Sequence, residues 1–279
     1  MPELPEVETA RRLAERVAAG RRIVRVWCAP DPIVFGSVSA ARMRQALLGR
    51  RVHRVGRHGK HLWFELDRRP WPCIHFGMTG GLHAPRATRV RLVSMGTRDP
   101  GADWPPPFTK LRLHFDGGRE LAMTDARRLG RIRLRQDPRA EPPISLLGFD
   151  ALLSVPSPAR FAGLLSLRAA PVKALLLDQS FAAGVGNWVA DEILYQARIA
   201  PWRPARSLSS AEARRLRAAL KSVVATAVAA RADSDRFPRR WLFHHRWGRQ
   251  AGATTARGEK IRHDVIGGRT TAWVPAVQR

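Results

Sequence analysis

Hydrophobic and polar positions follow two different periods along the chain. From residue 5 to residue 19 apolar residues recur at helical spacing and stop at Gly20, which predicts an N-terminal helix. Between residues 22 and 135 the period shortens to two, as in TKLRLHFDGGRELAM, where Asp-Gly-Gly separates two alternating runs. The first half of the chain is therefore predicted to be rich in antiparallel strands.

The second half changes to helical periodicity after a proline-rich stretch, QDPRAEPPIS, that is typical of an interdomain linker. Helices are predicted at about 158–168, 171–180, 188–197 and 209–231. The last 40 residues are basic and contain Gly-Gly at 267–268, which indicates a small hairpin. No internal repeat is visible, so the pattern predicts an α+β chain of more than one domain.

Composition adds a strong positive charge to this picture. The 279 residues include 49 Lys and Arg against 23 Asp and Glu, a formal net charge of +26. Such an excess favours a polyanionic partner, and nucleic acid is the first to consider. A membrane is not indicated, because apolar stretches such as SVVATAVAA fall far short of the ~20 residues that a span needs. The acidic N-terminus does not resemble a secretory signal, so we expect a cytoplasmic or nucleoid location.

The small number and the spacing of the cysteines argue against two further classes of protein. Only Cys28 and Cys73 occur, with no CxxC spacing, so neither a disulfide scaffold nor a cysteine-based zinc site is indicated. Both residues are expected to be small buried side chains.

The opening MPELPEVE contains candidate chemistry. Helix punctuation explains Pro5 and the carboxylates after it, because proline and acidic groups suit a first helical turn. It does not explain Pro2 and Glu3. Removal of Met1 would leave Pro2 as a free secondary amine of near-neutral pKa, with an acid beside it.

Five residues in internal motifs allow two interpretations each. Asn187, in GVGNWVADE, is predicted to cap a helix that binds phosphate, or to be an ordinary structural cap. Lys60, in RHGKHLWFEL, could hold a phosphate or a sugar, although a solvated lysine is the simpler interpretation. Met78 could be core or an apolar wedge between bases. Arg127, in TDARRLG, could reach into a duplex or lie on a solvated turn, whereas Arg269 at the Gly-Gly turn suits a groove or a phosphate.

Together these stretches resemble the formamidopyrimidine-DNA glycosylase and endonuclease VIII family of bifunctional base-excision enzymes. The segments MPELPEVETARR, GKHLWFEL, HFGMTG, TDARRLG and GVGNWVADEILYQARI follow in the family's order and cover almost the whole chain. The resemblance implies an N-terminal antiparallel β-sandwich with a long helix, then a helix-two-turn-helix domain with a hairpin finger. The implied boundaries are 1–135 for the catalytic domain, 136–150 for a linker, 151–238 for the helix-two-turn-helix domain and 239–279 for the finger.

The resemblance also assigns roles to individual residues. It implies that Pro2 is the Schiff-base nucleophile, Glu3 the general acid, Lys60 a lysine that acts at the lesion, and Glu6 a second glutamate of the same pocket. The residues that it assigns to DNA binding are Met78, Arg127, Asn187 and Arg269.

Two departures from the family pattern refine these expectations. Thr254, Arg257, Val274 and Val277 occupy the usual positions of the four zinc cysteines, and none of them can be a zinc thiolate. We therefore expect no metal and no cofactor, and a zincless finger packed through valines. The segment between the last long helix and the finger is also short, and Leu129 replaces the usual wedge phenylalanine, which makes 8-oxoguanine a weaker expected substrate.

The expected activity is excision of oxidised purines, chiefly formamidopyrimidines and hydantoins, followed by β- and δ-elimination. The expected partner is double-stranded DNA that carries oxidised bases or abasic sites, bound by a monomer. Two rivals remain open: a non-catalytic architectural DNA binder of the same fold, and an RNA-associated protein that uses the helical motif as a phosphate clamp.

Overall fold

A computed structural model describes residues 1–85, 104–247 and 252–279. The chain divides into two compact units. The first contains Met1–Leu146 and Arg231–Ser234, and the second contains Leu147–Ala230 and Asp235–Arg279.

The first unit combines two antiparallel sheets with helices, which confirms the predicted α+β class. The helices are α1 (Leu4–Ala18), α2 (Pro32–Phe35) and α3 (Ala40–Leu47). The strands are β1 (Ile23–Cys28), β2 (Val52–His58), β3 (His61–Leu66), β4 (Trp71–His75), β5 (Gly81–His83), β6 (Thr109–Phe115), β7 (Arg119–Thr124) and β8 (Arg131–Arg135). One four-stranded sheet has the order β1-β6-β7-β5 and the other β2-β3-β4-β8.

One large hydrophobic cluster of the described residues is shared by both sheets and by α1. It contains Val7 and Ala14 of the helix, Leu113 of one sheet and Phe64 of the other. Because α1 buries one stripe of small and branched residues here, its first turn is fixed against the sheets. Cys28 and Cys73 are both buried, as expected from their isolation in the sequence.

The second unit is mainly helical. Its helices are α4 (Pro158–Ser166), α5 (Val172–Leu177), α6 (Asn187–Ala197) and α7 (Ser210–Ala229). Its strands are the short parallel pair β9 (Phe149–Asp150) and β10 (Ala182–Ala183), and the antiparallel hairpin of β11 (Arg262–Ile266) and β12 (Arg269–Trp273). Helix α7 begins with a capping box in which Ser209 and Glu212 exchange hydrogen bonds.

The hairpin of β11 and β12 packs on a small apolar cluster. Leu242, Ile261, Ala272 and Val274 form its buried part, and Val277 packs against it. Of the described helices, none is long and apolar enough to cross a membrane.

Candidate active site

The N-terminal amine lies among four of the residues singled out from the sequence. In the chain as encoded this amine belongs to Met1, and burial lowers its pKa. The negative charges of Glu3 and Glu6 raise the pKa of this amine, whereas the positive charges of Lys60 and Arg127 lower it further. These four charges are therefore close enough to the amine to act on its titration.

The start of α1 explains how the two glutamates reach this place. Glu3 is the N-cap of the helix and Glu6 lies three residues later. A carboxylate oxygen of Glu6 accepts the backbone N–H of Glu3 at 2.9 Å, which is one half of a capping box. Glu3 and Glu6 are 3% and 6% exposed, and Pro2 beside them is also buried. Helix capping and the candidate chemistry thus use the same side chains.

Lys60 reaches the site because it lies at the tight turn between β2 and β3. The turn is held by Arg57, whose guanidinium donates to the carbonyl of Gly59 at 3.0 Å and to the carboxylate of Glu8 at 2.9 Å. Burial alone would raise the pKa of Glu8, but hydrogen bonds from Arg11 and Arg57 outweigh it and hold this pKa below its usual value. A buried ion pair therefore connects α1 to the turn that carries the lysine.

The neighbours of Lys60 on the adjacent strands are two histidines. The rings of His61 and His75 lie 4.7 Å apart. Burial lowers the pKa of His61 to about 3 and that of His75 to about 4, and repulsion by Lys60 adds to both effects. The ring nitrogen Nδ1 of His75 accepts the N–H of Gly77 at 3.2 Å, so this neutral ring helps to shape the turn that carries Met78.

Met78 and Arg127 lie on two turns that contact each other through their backbones. Met78 is half-buried, and Arg127 is exposed. An added Cβ on Gly77, whose φ is +61°, would lie 2.4 Å from the carbonyl carbon of Leu129, so only glycine permits this approach. Leu129 is 41% exposed. The two turns thus present an exposed apolar and basic tip.

Asp125 joins these two turns, a role that the sequence analysis did not identify. It is fully buried and accepts the hydroxyl of Thr79 at 3.1 Å, the N–H of Arg127 at 3.2 Å and the N–H of Gly130 at 2.6 Å. The sequence indicates this role of Asp125 only through its position as the second residue of TDARRLG.

Asp31 forms ion pairs with the same region, although it lies 97 positions before Arg128 in the sequence. Its carboxylate accepts from Lys110 at 2.8 Å and from Arg128 at 3.0 and 3.1 Å. Burial alone would raise the pKa of Asp31, but these hydrogen bonds outweigh it and keep the pKa below its usual range. Arg128 has a φ of +57°, so the ion pair holds a backbone conformation that is unusual for a side-chain-bearing residue.

In the second unit the structure corrects the predicted place of Asn187. The N-cap of α6 is Gly186, and Asn187 is the first helical residue. Gly186 takes the extended N-cap conformation, and the Asn187 amide Nδ2 instead donates to the carbonyl of Thr270 in β12 at 2.8 Å. Its Oδ1 is buried and has no hydrogen-bond partner among the described residues. Asn187 thus joins the helix to the hairpin that carries the exposed Arg269.

The four positions at which the family usually carries zinc cysteines lie in and around this hairpin. Val274 is fully buried and Val277 packs beside it, whereas Thr254 and Arg257 are exposed. A hydroxyl, a guanidinium and two apolar side chains do not fit a zinc ion, which requires thiolate, imidazole or carboxylate ligands. Within the described ranges, no group of three or more His, Cys, Asp or Glu is placed to hold a metal.

A β-sandwich with an N-terminal helix, together with a helical unit that carries a hairpin, defines the class of the helix-two-turn-helix DNA glycosylases. Two family models match the chain, the formamidopyrimidine-DNA glycosylase N-terminal domain over residues 1–132 and the formamidopyrimidine-DNA glycosylase H2TH domain over residues 147–238. The chain belongs to the formamidopyrimidine-DNA glycosylase family.

Individual relatives agree with this assignment. The formamidopyrimidine-DNA glycosylase of Arabidopsis thaliana is 41% identical over 279 residues, which is 100% of this chain and 71% of that protein. The enzyme of Thermus thermophilus is 38% identical and is covered to 98%. The crystal structure of the Thermus protein matches with a TM-score of 0.74 at 35% identity, covering 99% of this chain and 98% of that one. Lactococcus lactis formamidopyrimidine-DNA glycosylase bound to DNA with an abasic site matches with a TM-score of 0.80 at 23% identity, covering 99% of each chain, which shows a shared fold.

Proposed function

We propose that this chain is a bifunctional DNA glycosylase and abasic-site lyase that removes oxidised purines through an N-terminal proline Schiff base. The observation that carries the proposal is the burial of the N-terminal amine among Glu3, Glu6, Lys60 and Arg127. A partly desolvated amine flanked by carboxylates and cations suits nucleophilic attack and proton transfer. The family assignment supports the same activity.

Removal of Met1 transfers the amine to Pro2. An unperturbed α-amino group has a pKa of about 7.7 to 8, so burial that lowers it increases the neutral, nucleophilic fraction at pH 7. The nitrogen of Pro2 then bonds to C1′ of the damaged nucleotide as the bond from C1′ to the base breaks, and the proton that the amine loses balances the one that the departing base takes up. Because Pro2 is a secondary amine, ring opening of the sugar leaves a cationic iminium, which withdraws electrons from C2′.

Glu3 is placed to give a proton to the sugar ring oxygen as the ring opens. Acting as a general acid requires that the carboxyl group of Glu3 carry a proton when the sugar ring opens. Lys60 works at the lesion, beside the reacting sugar. Loss of the C2′ proton then expels the 3′ phosphate, and a second elimination expels the 5′ phosphate, so the strand is cut on both sides of the sugar.

Base eversion precedes this chemistry and costs a few kcal/mol, which is lowest for a damaged pair. Met78, Arg127 and Leu129 form the exposed tip that would occupy the gap in the duplex. In the second unit, Asn187 with the start of α6 and Arg269 on the hairpin would bind backbone phosphates. The net charge of +26 supports binding to a duplex.

The substrate range follows from the departures already described. We propose formamidopyrimidines and hydantoins as main substrates and 8-oxoguanine as a weaker one, because the segment between α7 and the finger is short and Leu129 replaces the usual wedge phenylalanine. We also propose a finger without zinc, since its four side chains lack zinc ligands. Because genomic DNA is the proposed substrate, we propose that the protein acts in the cytoplasm or nucleoid.

Borohydride trapping on a duplex with one abasic site tests the proposal. N-terminal sequencing first establishes that Met1 is absent. The expected result is a covalent protein–DNA adduct, which is lost when one extra residue is added before Pro2 and kept in a Glu65→Gln protein. With Met1 removed and no adduct formed, the enzyme assignment fails and an architectural DNA binder becomes the better account.

A further inference from the structure

The carboxylate of Asp191 collects hydrogen bonds from three separate segments of the second unit. Asp191 lies on α6 and is 1% exposed. Its Oδ1 accepts from Lys173 of α5, and its Oδ2 accepts from Arg246 at 2.5 and 3.1 Å. The same Oδ2 accepts the backbone N–H of Ala272 in β12 at 3.1 Å. Both oxygens of this buried carboxylate are therefore satisfied, and one of them holds the hairpin directly.

Two further hydrogen bonds connect the hairpin to the same group of residues. Asn187, one turn before Asp191 on α6, donates to the carbonyl of Thr270 at 2.8 Å. His263 of β11 lies with Nε2 at 3.2 Å from the carbonyl oxygen of Arg246. Both strands of the hairpin are thus connected to the helix or to the segment that Asp191 holds.

Apolar and aromatic side chains also hold the hairpin. The buried apolar cluster includes Leu242, Ile261, Ala272 and Val274, and Trp273 of β12 packs edge-on against Trp202 with ring centroids 4.4 Å apart. Hydrophobic burial is non-directional, whereas hydrogen bonds to a fixed carboxylate have defined distances and angles. The hydrogen bonds to Asp191 therefore define the position of β12 on α6 more closely than hydrophobic burial alone does.

We propose that Asp191 is a positioning residue for DNA binding: through Ala272 it fixes β12 on α6, and so sets the place of Arg269 relative to Asn187. Arg269 begins β12, three residues before Ala272, and is exposed. One buried charge thereby joins segments that are distant in sequence, which is the structural task of a metal ion in a metal-bound finger. The inference rests on the proposed function for the role of Arg269 at DNA.

A double-mutant cycle between Asp191→Asn and Arg269→Ala tests this inference. The probe is a duplex with a tetrahydrofuran abasic analogue, and binding is followed by fluorescence anisotropy at one fixed salt concentration. Arg269→Ala is expected to weaken binding by about 10-fold in the wild-type chain but by less than about 2-fold in Asp191→Asn. In that variant the arginine is already displaced from the DNA, so its removal changes the affinity little. Asp264→Asn is the matched control, since it removes a carboxylate charge from the same hairpin while its side-chain oxygen can still accept the indole N–H of Trp273, and Arg269→Ala should keep its full effect there.

Two further measurements separate positioning from general damage. At saturating protein, Asp191→Asn should cleave an abasic duplex at a single-turnover rate within about 3-fold of wild type, because the chemistry lies in the first unit. Exchange of the Ala272 amide with deuterium should accelerate by about 10-fold or more in Asp191→Asn and stay unchanged in Asp264→Asn, since the variant weakens its acceptor.

The inference is wrong if Arg269→Ala weakens the wild-type and Asp191→Asn proteins by the same factor, or if exchange at Ala272 is unchanged. A wild-type protein without preference for the abasic duplex would refute the proposed function, and the exchange of Ala272 would then decide the positioning role alone. If Asp191→Asn does not fold, the same measurements use the double variant Lys173→Met with Asp191→Asn, which removes one cation together with the carboxylate.

Discussion

Replacing Glu8 by glutamine tests how strongly the first unit depends on the buried ion pair behind Lys60. Glu8 is 5% exposed and accepts from Arg57, whose side chain is fully buried, at 2.9 Å. Arg11 and Arg12 also contact Glu8, at 3.1 and 2.9 Å. Glutamine keeps the shape and one acceptor oxygen but removes the negative charge of the Glu8–Arg57 ion pair.

The expected loss of stability follows from these environments. Breaking a buried ion pair by removing one partner costs about 3–5 kcal/mol, because the other charge stays buried. The contacts from Arg11 and Arg12 add less than about 1 kcal/mol each, since both side chains are partly exposed and regain water. Because glutamine retains one hydrogen bond to Arg57, we expect a loss of about 3 kcal/mol, near the lower end of the range. For a unit of this size the unfolding midpoint should fall by roughly 6–12 °C.

Activity should fall as well, because Arg57 also holds the carbonyl of Gly59, the residue before Lys60. A displacement of Lys60 by a fraction of an ångström should lower single-turnover base excision by about 10-fold. Excision of a formamidopyrimidine from a duplex is measured below the unfolding temperature. Glu65→Gln is the control, because Glu65 pairs with the exposed Arg54 on the same sheet and glutamine can still accept the indole N–H of Trp63, so this change should cost less than about 1 kcal/mol.

The reasoning would be refuted if Glu8→Gln unfolded at the same temperature as Glu65→Gln. Full stability with reduced excision would contradict it too, because both effects are attributed to the loss of the same Glu8–Arg57 ion pair.

Three other changes have defined outcomes. Asp125→Asn places an amide N–H against the backbone N–H of Gly130, in the loop that carries Arg127. Single-turnover excision of a damaged base should therefore fall about 10-fold. The effect should be smaller on an abasic duplex, which needs no base eversion. Hydrogen bonds from Arg203 lower the pKa of Glu212 to about 2 from the ordinary 4.5, so the ionised form is favoured in the folded state. The resulting stabilisation, about 1 kcal/mol after solvent screening, is full above pH 4.5 and is lost as the pH falls towards 2, and Glu212→Gln should remove this acid dependence in urea unfolding. Burial raises the pKa of Glu192 to about 7, so stability should decrease by up to about 3 kcal/mol as the pH rises from 4.5 to 7, and Glu192→Gln should flatten that decrease.

Local pattern in the sequence predicted the elements whose signal is self-contained. The helix predicted over 5–19 is α1, and the turn predicted at Asp-Gly-Gly joins β6 and β7. The Gly-Gly pair at 267–268 joins β11 and β12 as expected. Each of these is fixed by its own periodicity and turn residues.

Short helices within the strand-rich region were not predicted. Helix α2 has four residues and α3 has eight, too few for a periodic stripe to stand out. Their caps were visible in retrospect, because Asp31 and Ser39 each accept backbone N–H groups of the following turn.

Contacts between distant residues were beyond sequence reasoning. Asp31 and Arg128 are 97 positions apart and Glu8 and Arg57 are 49 apart, and no local pattern pairs them. The free amine of Pro2 follows from the N-terminal residues, whereas its Schiff-base role and the role of Lys60 at the lesion rest on family resemblance and stay predictions. Asn187 was misplaced by one position, because a glycine took the cap and released the amide for the hairpin.

The burial of both cysteines has a consequence under oxidative stress, the condition that generates oxidised bases. Burial raises the pKa of the Cys28 thiol to about 11 and that of the Cys73 thiol to about 12, which disfavours the nucleophilic thiolate that attacks peroxide. The hairpin offers no thiolate at the four positions where the family usually has cysteine. A peroxide dose that damages the genome should therefore leave the thiols of this repair enzyme unmodified while its substrates accumulate.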